Sequence, residues 1–151
     1  KGEVFIWGQN SKEGEQRYYL GTASRENNVS IPQPVLNFPT KNGVKPHIVQ
    51  VACGTRSAIA LSSVGDVYSW GEGNFGSLGQ GEEMTYSRWP SRIEGIRNVL
   101  SISSSFHKNI AITLDNFYFW GKEKNKEEVF TPTNPFLPPT HCDYVSFSSV
   151  S

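Results

Sequence analysis

One segment, Val67-Tyr68-Ser69-Trp70-Gly71-Glu72-Gly73-Asn74-Phe75-Gly76-Ser77-Leu78-Gly79-Gln80-Gly81, contains both a strand pattern and a dense turn pattern. Side chains alternate along a β-strand, so Val67 and Ser69 are predicted to face one side and Tyr68 and Trp70 the other. Five glycines follow Trp70 in this segment, and glycine adopts backbone conformations that other residues avoid. The segment therefore predicts a strand that ends in a compact turn.

The aromatic strand ending recurs as Trp7-Gly8 upstream and as Trp120-Gly121 downstream. Trp7 and Trp70 are 63 residues apart, and Trp70 and Trp120 are 50 residues apart. These spacings predict a repeat of roughly fifty residues with an insertion in its first copy. Repeats of that length are typical of propellers and solenoids.

A second element repeats in phase with the first: Ile-Val-Gln-Val-Ala-Cys-Gly at 48–54 and Asn-Val-Leu-Ser-Ile-Ser-Ser-Ser at 98–105. A further copy is predicted at 144–149. Small-residue strands follow the first two copies, at 57–61 and 109–114, and lead into the tryptophan strands. The order predicts antiparallel strands from Gln50 to Cys53, Ala58 to Leu61 and Asp66 to Trp70, joined by tight turns.

A fourth strand is predicted around Pro34-Val35-Leu36 and again around Pro90-Ser91-Arg92-Ile93. Proline has no N–H to donate to a strand ladder, so it belongs on an edge strand. The proline strand is therefore expected to be the outermost of four. A four-stranded antiparallel sheet of this kind is a propeller blade.

The order of these motifs resembles the repeat of the regulator of chromosome condensation (RCC1) family. The central copy, residues 48–102, carries Val-Ala-Cys-Gly, Ala-Ile-Ala-Leu, Gly-Asp-Val-Tyr-Ser-Trp-Gly and then Asn-Phe-Gly-Ser-Leu-Gly. The first copy spreads Trp7-Gly8, Leu20-Gly21 and Pro34-Val35 further apart, and the third replaces the glycine turn with residues 122–128. The resemblance implies an all-β fold with about three of the seven blades of such a propeller.

We predict a single domain over residues 1–151, divided into three repeats. The first repeat, with insertions, covers 1–61, the second covers 62–114, and a degenerate, incomplete third covers 115–151. End blades of a partial ring are expected to expose strand edges and apolar faces, around Phe5 and Trp7 at one end and Phe147 at the other. Such edges would permit self-association.

The charge is balanced, with 14 Lys and Arg against 14 Asp and Glu, so nothing in the composition favours nucleic acid or an anionic membrane as partner. No apolar run approaches the roughly eighteen residues of a transmembrane helix, and the N-terminus lacks a signal-peptide pattern. The sequence predicts an intracellular protein, cytoplasmic or nuclear.

Metal, cofactor and catalytic motifs are not predicted. Cys53 and Cys142 have no paired ligand spacing, and Cys53 is expected to be buried before a hairpin glycine. Gly71-Glu72-Gly73-Asn74-Phe75-Gly76 has the G-x-G-x-x-G form, but a nucleotide-binding turn must open a helix and residues 77–81 are a poor helix start. With no other catalytic motif in sight, we expect a protein that is not an enzyme.

The resemblance implies that the hairpin after the Cys-Gly element contributes to partner surfaces. Here that hairpin contains Thr55 and Arg56 in one repeat and Phe106 and His107 in the next. His107 matches a histidine of the family pattern, whereas Arg56 occupies that place in the preceding repeat. The alternative for His107 is a hydrogen bond within its own hairpin.

Two insertions supply further candidate surface. The loop after Trp7 is five residues longer than its counterpart and contains Arg17, Tyr18 and Tyr19, residue types favoured at interfaces when exposed. The segment that contains Arg25 and residues 39–45 is seven residues longer, and a disordered or merely tolerated loop is the alternative there.

The function predicted from these features is protein recognition by a propeller scaffold, since loops at the blade ends vary without disturbing the sheets. The alternative, from the activity of the resembled family's founding member, is guanine-nucleotide exchange on a Ran-like small GTPase. Chromatin association is a third alternative, which the neutral charge argues against.

Overall fold

The computed structural model describes residues 2–81 and 83–121, which form nine β-strands and one short 3₁₀-helix. The predicted all-β fold is confirmed. The strands are β1 Phe5–Gln9, β2 Asn28–Pro34, β3 Ile48–Cys53, β4 Ser57–Ser62, β5 Val67–Glu72, β6 Tyr86–Arg92, β7 Ser101–Ser105, β8 Lys108–Ile112 and β9 Phe117–Trp120.

The strands form three antiparallel sheets with the orders β1-β2, β3-β4-β5-β6 and β7-β8-β9. The middle sheet has the predicted four strands, and the proline-bearing strand β6 is outermost as expected. Within the described residues the first sheet has two strands and the third has three, so the expectation of four strands in each blade is met only in the middle. The predicted strand at 144–149 and Phe147 lie outside the described residues.

Each Trp-Gly pair marks an irregularity in strand pairing or a close approach of backbone. In the middle sheet the register between β5 and β6 shifts between Ser69 and Gly71. Gly71 has φ +101°, and a Cβ placed there would collide with the carbonyl oxygen of Arg56. Gly121 has φ +84° and lies against the carbonyl oxygen of His107 in the same way. Glycine is therefore required after these two tryptophans by space as well as by conformation.

Apolar side chains on the two faces of the middle sheet enter two separate clusters. Tyr68 and Trp70 pack in a cluster with Val4, just before β1, and Val35, just after β2. Val67 lies in the other cluster, whose remaining buried members are Ile59, Leu61, Ile93, Ile96, Val99, Ile102, Ala111 and Trp120. The predicted alternation of Val67 against Tyr68 and Trp70 is confirmed, and the sheets pack face to face as blades do.

The prediction that Cys53 is buried is wrong, because its side chain is exposed. Cys53 pairs with Ala58 and Val51 pairs with Ala60 along β3, an edge strand of its sheet. Val51 is also 51% exposed, so this part of the sheet face lacks a covering layer among the described residues. Partial burial nevertheless raises the pKa of the Cys53 thiol.

The glycine-rich segment forms a turn, as expected from its poor helix signal. Its only helical element is a three-residue 3₁₀-helix, Asn74–Gly76, in which Phe75 has the left-handed φ of 61°. Ser77 follows and its carbonyl oxygen accepts hydrogen bonds from Asn109 Nδ2 at 2.8 Å and Trp120 Nε1 at 3.2 Å. The turn is thus fastened to the third sheet.

Candidate functional site

Four connections lie together at one end of the sheets, and we call this end the hairpin face. In the middle sheet, antiparallel pairing places the β3–β4 turn at 54–56 and the β5–β6 connection at 73–81 and 83–85 on the same end. The β7–β8 turn at 106–107 contacts both connections, through Thr55 and Phe75. The loop at 10–27 bonds to Tyr86, where β6 begins.

Thr55 and Phe106 join the two predicted partner-binding hairpins. The Thr55 backbone N–H donates to the carbonyl oxygen of Phe106 at 2.9 Å. Phe106 is 75% exposed and has a left-handed φ of 53°. A phenyl ring is therefore held out in solvent on a turn whose backbone is tied to its neighbour.

Arg56 and Glu72 form an ion pair beside these hairpins. Arg56 Nη1 lies 3.3 Å from Glu72 Oε2, and the Glu72 N–H donates to the Arg56 carbonyl oxygen at 2.8 Å. Glu72 is only 8% exposed, and a buried carboxylate requires a partner of opposite charge. Arg56 therefore has a structural task in addition to its predicted role on the face.

His107 contacts an aromatic ring that the sequence did not single out. Its ring centroid lies 5.0 Å from that of Phe75, with 57° between the planes. Phe75 belongs to the connection that follows β5, so the contact runs from the third sheet to the middle one. The His107 side chain is therefore best described as packed on Phe75. This contact differs both from the hydrogen bond within its own hairpin and from the free partner-binding side chain that the sequence offered.

The loop at 10–27 is attached to the outer strand of the middle sheet through Tyr18 and Tyr86. The Tyr18 N–H donates to the Tyr86 hydroxyl at 3.0 Å, and that hydroxyl donates to the Tyr18 carbonyl oxygen at 3.0 Å. Arg88 places its guanidinium 5.2 Å from the Tyr18 ring centroid and 4.7 Å from that of Trp89. These are cation–π distances, and they make the loop one surface with strand β6.

Tyr19 is buried, which corrects the expectation of an exposed interface tyrosine. Its hydroxyl donates to Glu15 Oε2 at 2.7 Å and the residue is 5% exposed. Burial raises the pKa of Tyr19 to about 12, and the hydrogen bond to Glu15 and the negative charge of Glu72 act in the same direction. Tyr19 is buried because of its place in the repeat. It comes just before buried Leu20, and the matching residue of the next repeat, Ser77, comes just before buried Leu78 and is buried too.

The predicted residues thus fall into two groups on one face. Thr55, Arg56, Phe106 and His107 form the first, and Arg17 and Tyr18 lie in the second, where the Arg17 guanidinium is 5.7 Å from the Tyr86 ring centroid. Sequence reasoning missed Phe75, Tyr86, Arg88 and Trp89. The Tyr-Ser-Arg-Trp run just before Pro90 could have marked the last three, but the edge-strand prediction rests on residues 90–93 alone.

In residues 2–81 and 83–121, no three His, Cys, Asp or Glu side chains form a group that could hold a metal ion. The same residues include no helix long and apolar enough to cross a membrane. The hairpin face presents aromatic rings, guanidinium groups and turn backbone, which are groups suited to non-covalent binding.

Family models for the regulator of chromosome condensation (RCC1) repeat match the chain. One model covers residues 1–61 and 64–110, and a second covers residues 48–77. Among curated proteins, the probable E3 ubiquitin-protein ligase HERC6 of Homo sapiens is 32% identical over 124 residues, which is 80% of this chain and 11% of that protein. RUG3, a mitochondrial RCC1 domain-containing protein of Arabidopsis thaliana, is 32% identical over 83% of this chain and 26% of its own length. The chain thus spans a small part of these relatives.

Solved structures agree with the fold. Prp20p from Saccharomyces cerevisiae superposes with a TM-score of 0.63 and 27% identity over 92% of this chain and 33% of that chain. Human WBSCR16 superposes with a TM-score of 0.66 over 97% of this chain and 36% of its own, at 21% identity. The three sheets are blades of an RCC1-like β-propeller, and the chain belongs to the RCC1 repeat family.

Proposed function

We propose that this chain is a protein-interaction scaffold and that its hairpin face is the binding surface. The observation that carries the proposal is Phe106, a 75% exposed ring on a turn tied by its backbone to Thr55. A large side chain on a rigid support loses little entropy when a partner covers it, and aromatic residues with arginines are the usual centres of binding energy. Arg17, Tyr18, Arg88 and Trp89 extend the same surface.

Solved structures of the related protein Prp20 support this proposal by analogy. The solved structure of Prp20p is described with its binding properties to Gsp1p and histones, and another shows Kap60 bound to Prp20. Those partners belong to Prp20, of which this chain covers about a third. Prp20 thus binds other proteins, and the partner of this chain is a separate question.

A second candidate function is guanine-nucleotide exchange on a small GTPase. The similarity to Prp20p, whose description names Gsp1p, is the observation in its favour. Exchange requires a surface that reshapes a nucleotide site, and three sheets provide only part of the surface of a full ring. Chromatin association ranks third, because a net charge of zero provides no general attraction to DNA.

Self-association through open blade faces is a further proposal. Phe5 is 53% exposed and Trp7 is 60% exposed, whereas Tyr68 and Trp70 at the matching positions of the middle sheet are buried. Light scattering after size exclusion tests it, and a mass that stays monomeric as concentration rises would contradict it. An intracellular location, cytoplasmic or nuclear, also remains a prediction.

The scaffold proposal is tested with a partner obtained by cross-linking to the full chain and then purified. Phe106→Ala should weaken its binding by more than about tenfold, as expected for a central interface residue. Leu114→Ala is the matched control, because Leu114 is 87% exposed in the β8–β9 turn at 113–116, at the opposite end of the third sheet from Phe106. Equal loss in both variants, or no loss in either, would contradict the hairpin face as the binding surface.

Nucleotide release from purified Gsp1p distinguishes the second candidate. Exchange activity predicts faster release of a fluorescent GDP analogue when the chain is present. Release should then be slower with the Phe106→Ala variant than with the Leu114→Ala control. If Gsp1p released nucleotide no faster with the chain than without it, exchange on this GTPase would be excluded. The scaffold proposal would still stand if the chain bound its purified partner as described above.

A further inference from the structure

The longer of the two insertions forms an ordered turn at the end opposite the hairpin face. Lys41 and Val44 exchange both backbone hydrogen bonds at 3.0 Å. Between them Asn42 has φ 53° and Gly43 has φ 76°, the paired positive values of a type I′ hairpin turn. The insertion is therefore a fixed structural element, and the disordered-loop alternative does not describe it.

A groove lies between this turn and the β4–β5 turn at 63–65. Its volume is about 350 Å³, and we call it the lysine groove after Lys41 and Lys45, which line it. Its walls include Pro39, Val44 and Val64, and the two valines are 69% and 72% exposed. A cavity of about 550 Å³ adjoins it and shares Lys45, Pro46 and His47. Volumes of this size suit a peptide side chain and its neighbours.

Tyr68 lines the lysine groove and brings an unused hydrogen-bonding group to it. The residue is 5% exposed, and its hydroxyl, which has no hydrogen bond to a described residue, is not among the side-chain atoms sealed from solvent. Burial raises the pKa of Tyr68, so the hydroxyl is protonated and able to donate at neutral pH. An acceptor on a ligand that enters the groove takes the place of solvent at this hydroxyl.

The charged side chains of the groove that have no ion-pair partner among the described residues are two lysines. Neither Lys41 nor Lys45 has a carboxylate within ion-pair distance among the residues that the structure describes. Asp66, which also lines the groove, is already paired with Arg92 at 3.1 Å. The two ammonium groups therefore remain available to a carboxylate brought by a ligand.

We propose that the lysine groove binds an acidic peptide segment of a partner protein. An apolar side chain of that segment enters between Val44 and Val64, flanking carboxylates meet Lys41 and Lys45, and Tyr68 donates to a carboxylate or carbonyl oxygen. The apolar walls and the small number of cations favour a peptide over nucleic acid, whose binding relies on many phosphate contacts. The site is separate from the hairpin face, so its failure would not affect the proposed function.

The test uses the full chain and a fluorescein-labelled Glu-Glu-Leu-Glu-Glu peptide in anisotropy titrations. Saturable binding is expected, with at least tenfold weaker binding of the Gln-Gln-Leu-Gln-Gln and Lys-Lys-Leu-Lys-Lys counterparts. Lys41→Glu with Lys45→Glu should reduce affinity at least tenfold, and Val64→Asp should do the same through the apolar wall.

The matched control is Lys12→Glu with Arg25→Glu, which changes the net charge equally in the loop at 10–27 on the hairpin face. This control should retain wild-type affinity for the acidic peptide. Tyr68→Phe should weaken binding severalfold at an unchanged unfolding midpoint, because it removes only the hydroxyl. Three results would overturn the proposal. These are equal losses of affinity in the two charge-reversed double variants, a dissociation constant for the acidic peptide weaker than about 1 mM, and preferential binding of a DNA oligonucleotide.

Discussion

The side-chain amide of Gln50 pairs with the backbone of Ile102 as another strand would. Gln50 Nε2 donates to the Ile102 carbonyl oxygen at 2.9 Å, and the Ile102 N–H donates to Gln50 Oε1 at 2.9 Å. Ile102 lies on β7, an edge strand of the third sheet, and Gln50 lies on β3 of the middle sheet. One side chain therefore satisfies an exposed strand edge and links two blades.

Gln50→Ala is expected to lower the free energy of unfolding by about 1–3 kcal/mol, because it removes both partners of the Ile102 backbone. Gln50→Glu should be nearly as costly, since a carboxylate cannot donate to the carbonyl oxygen. Urea denaturation measures both, with Gln16→Ala as the control at an exposed loop position. A Gln50→Ala midpoint equal to that of the control would contradict the bond's stabilising role.

The tryptophans at matching places in the first two sheets should differ sharply in their contribution to stability. Trp70 is 1% exposed and Trp7 is 60% exposed. Trp70→Ala should cost about 3–5 kcal/mol through lost burial and a residual cavity. Trp7→Ala should cost less than about 1 kcal/mol. Denaturant midpoints test the pair, and similar losses would show that Trp7 is covered in solution.

The glycines after these tryptophans provide a second matched pair. Gly71→Ala forces a methyl group against the Arg56 carbonyl oxygen at φ +101°, so we expect a loss of about 3 kcal/mol or more. Gly8 has φ +119° but no atom within 4 Å of its Cβ position. Gly8→Ala should therefore lower the free energy of unfolding by about 1 kcal/mol, through backbone strain alone. Thermal unfolding of the two variants would refute this account if Gly8→Ala proved the worse.

Phe106→Gly should separate binding from stability. The left-handed φ of 53° is costly for phenylalanine and free for glycine, so stability should hold or rise by up to about 1 kcal/mol. Loss of the ring should still weaken partner binding by more than about tenfold. Calorimetry with a binding titration measures both quantities. A variant that melts lower and binds normally would contradict both parts.

Tyr19 should make stability sensitive to alkaline pH. Its pKa rises from 10.0 to about 12 on folding, so the folded state holds this proton more tightly. The stabilisation is complete below pH 10 and is lost as pH rises towards 12. Tyr19→Phe should therefore show a smaller fall in unfolding free energy across this window. Parallel curves for the two proteins would exclude the effect.

The strand assignments followed from sequence because their causes are local. The alternation at 67–70 reflects the pleat of a strand. The proline of the edge strand reflects its missing N–H donor, and the glycine after each tryptophan reflects its backbone freedom. Cys53 was assigned wrongly because its exposure depends on whether another layer covers its face of the sheet. Tyr19 was assigned wrongly because an aromatic residue in a loop was assumed to face solvent, although its place before Leu20 matches a buried position.

The sequence by itself determined the all-β repeat architecture, since periodic motifs and turn residues act over a few positions of the chain. Only the tertiary structure decided which distant side chains meet. Tyr18 reaches Tyr86, His107 reaches Phe75, and Gln50 reaches Ile102, across separations of 32 to 68 residues. Those contacts depend on how neighbouring blades pack, and packing is set by the shapes of whole sheets rather than by any one motif.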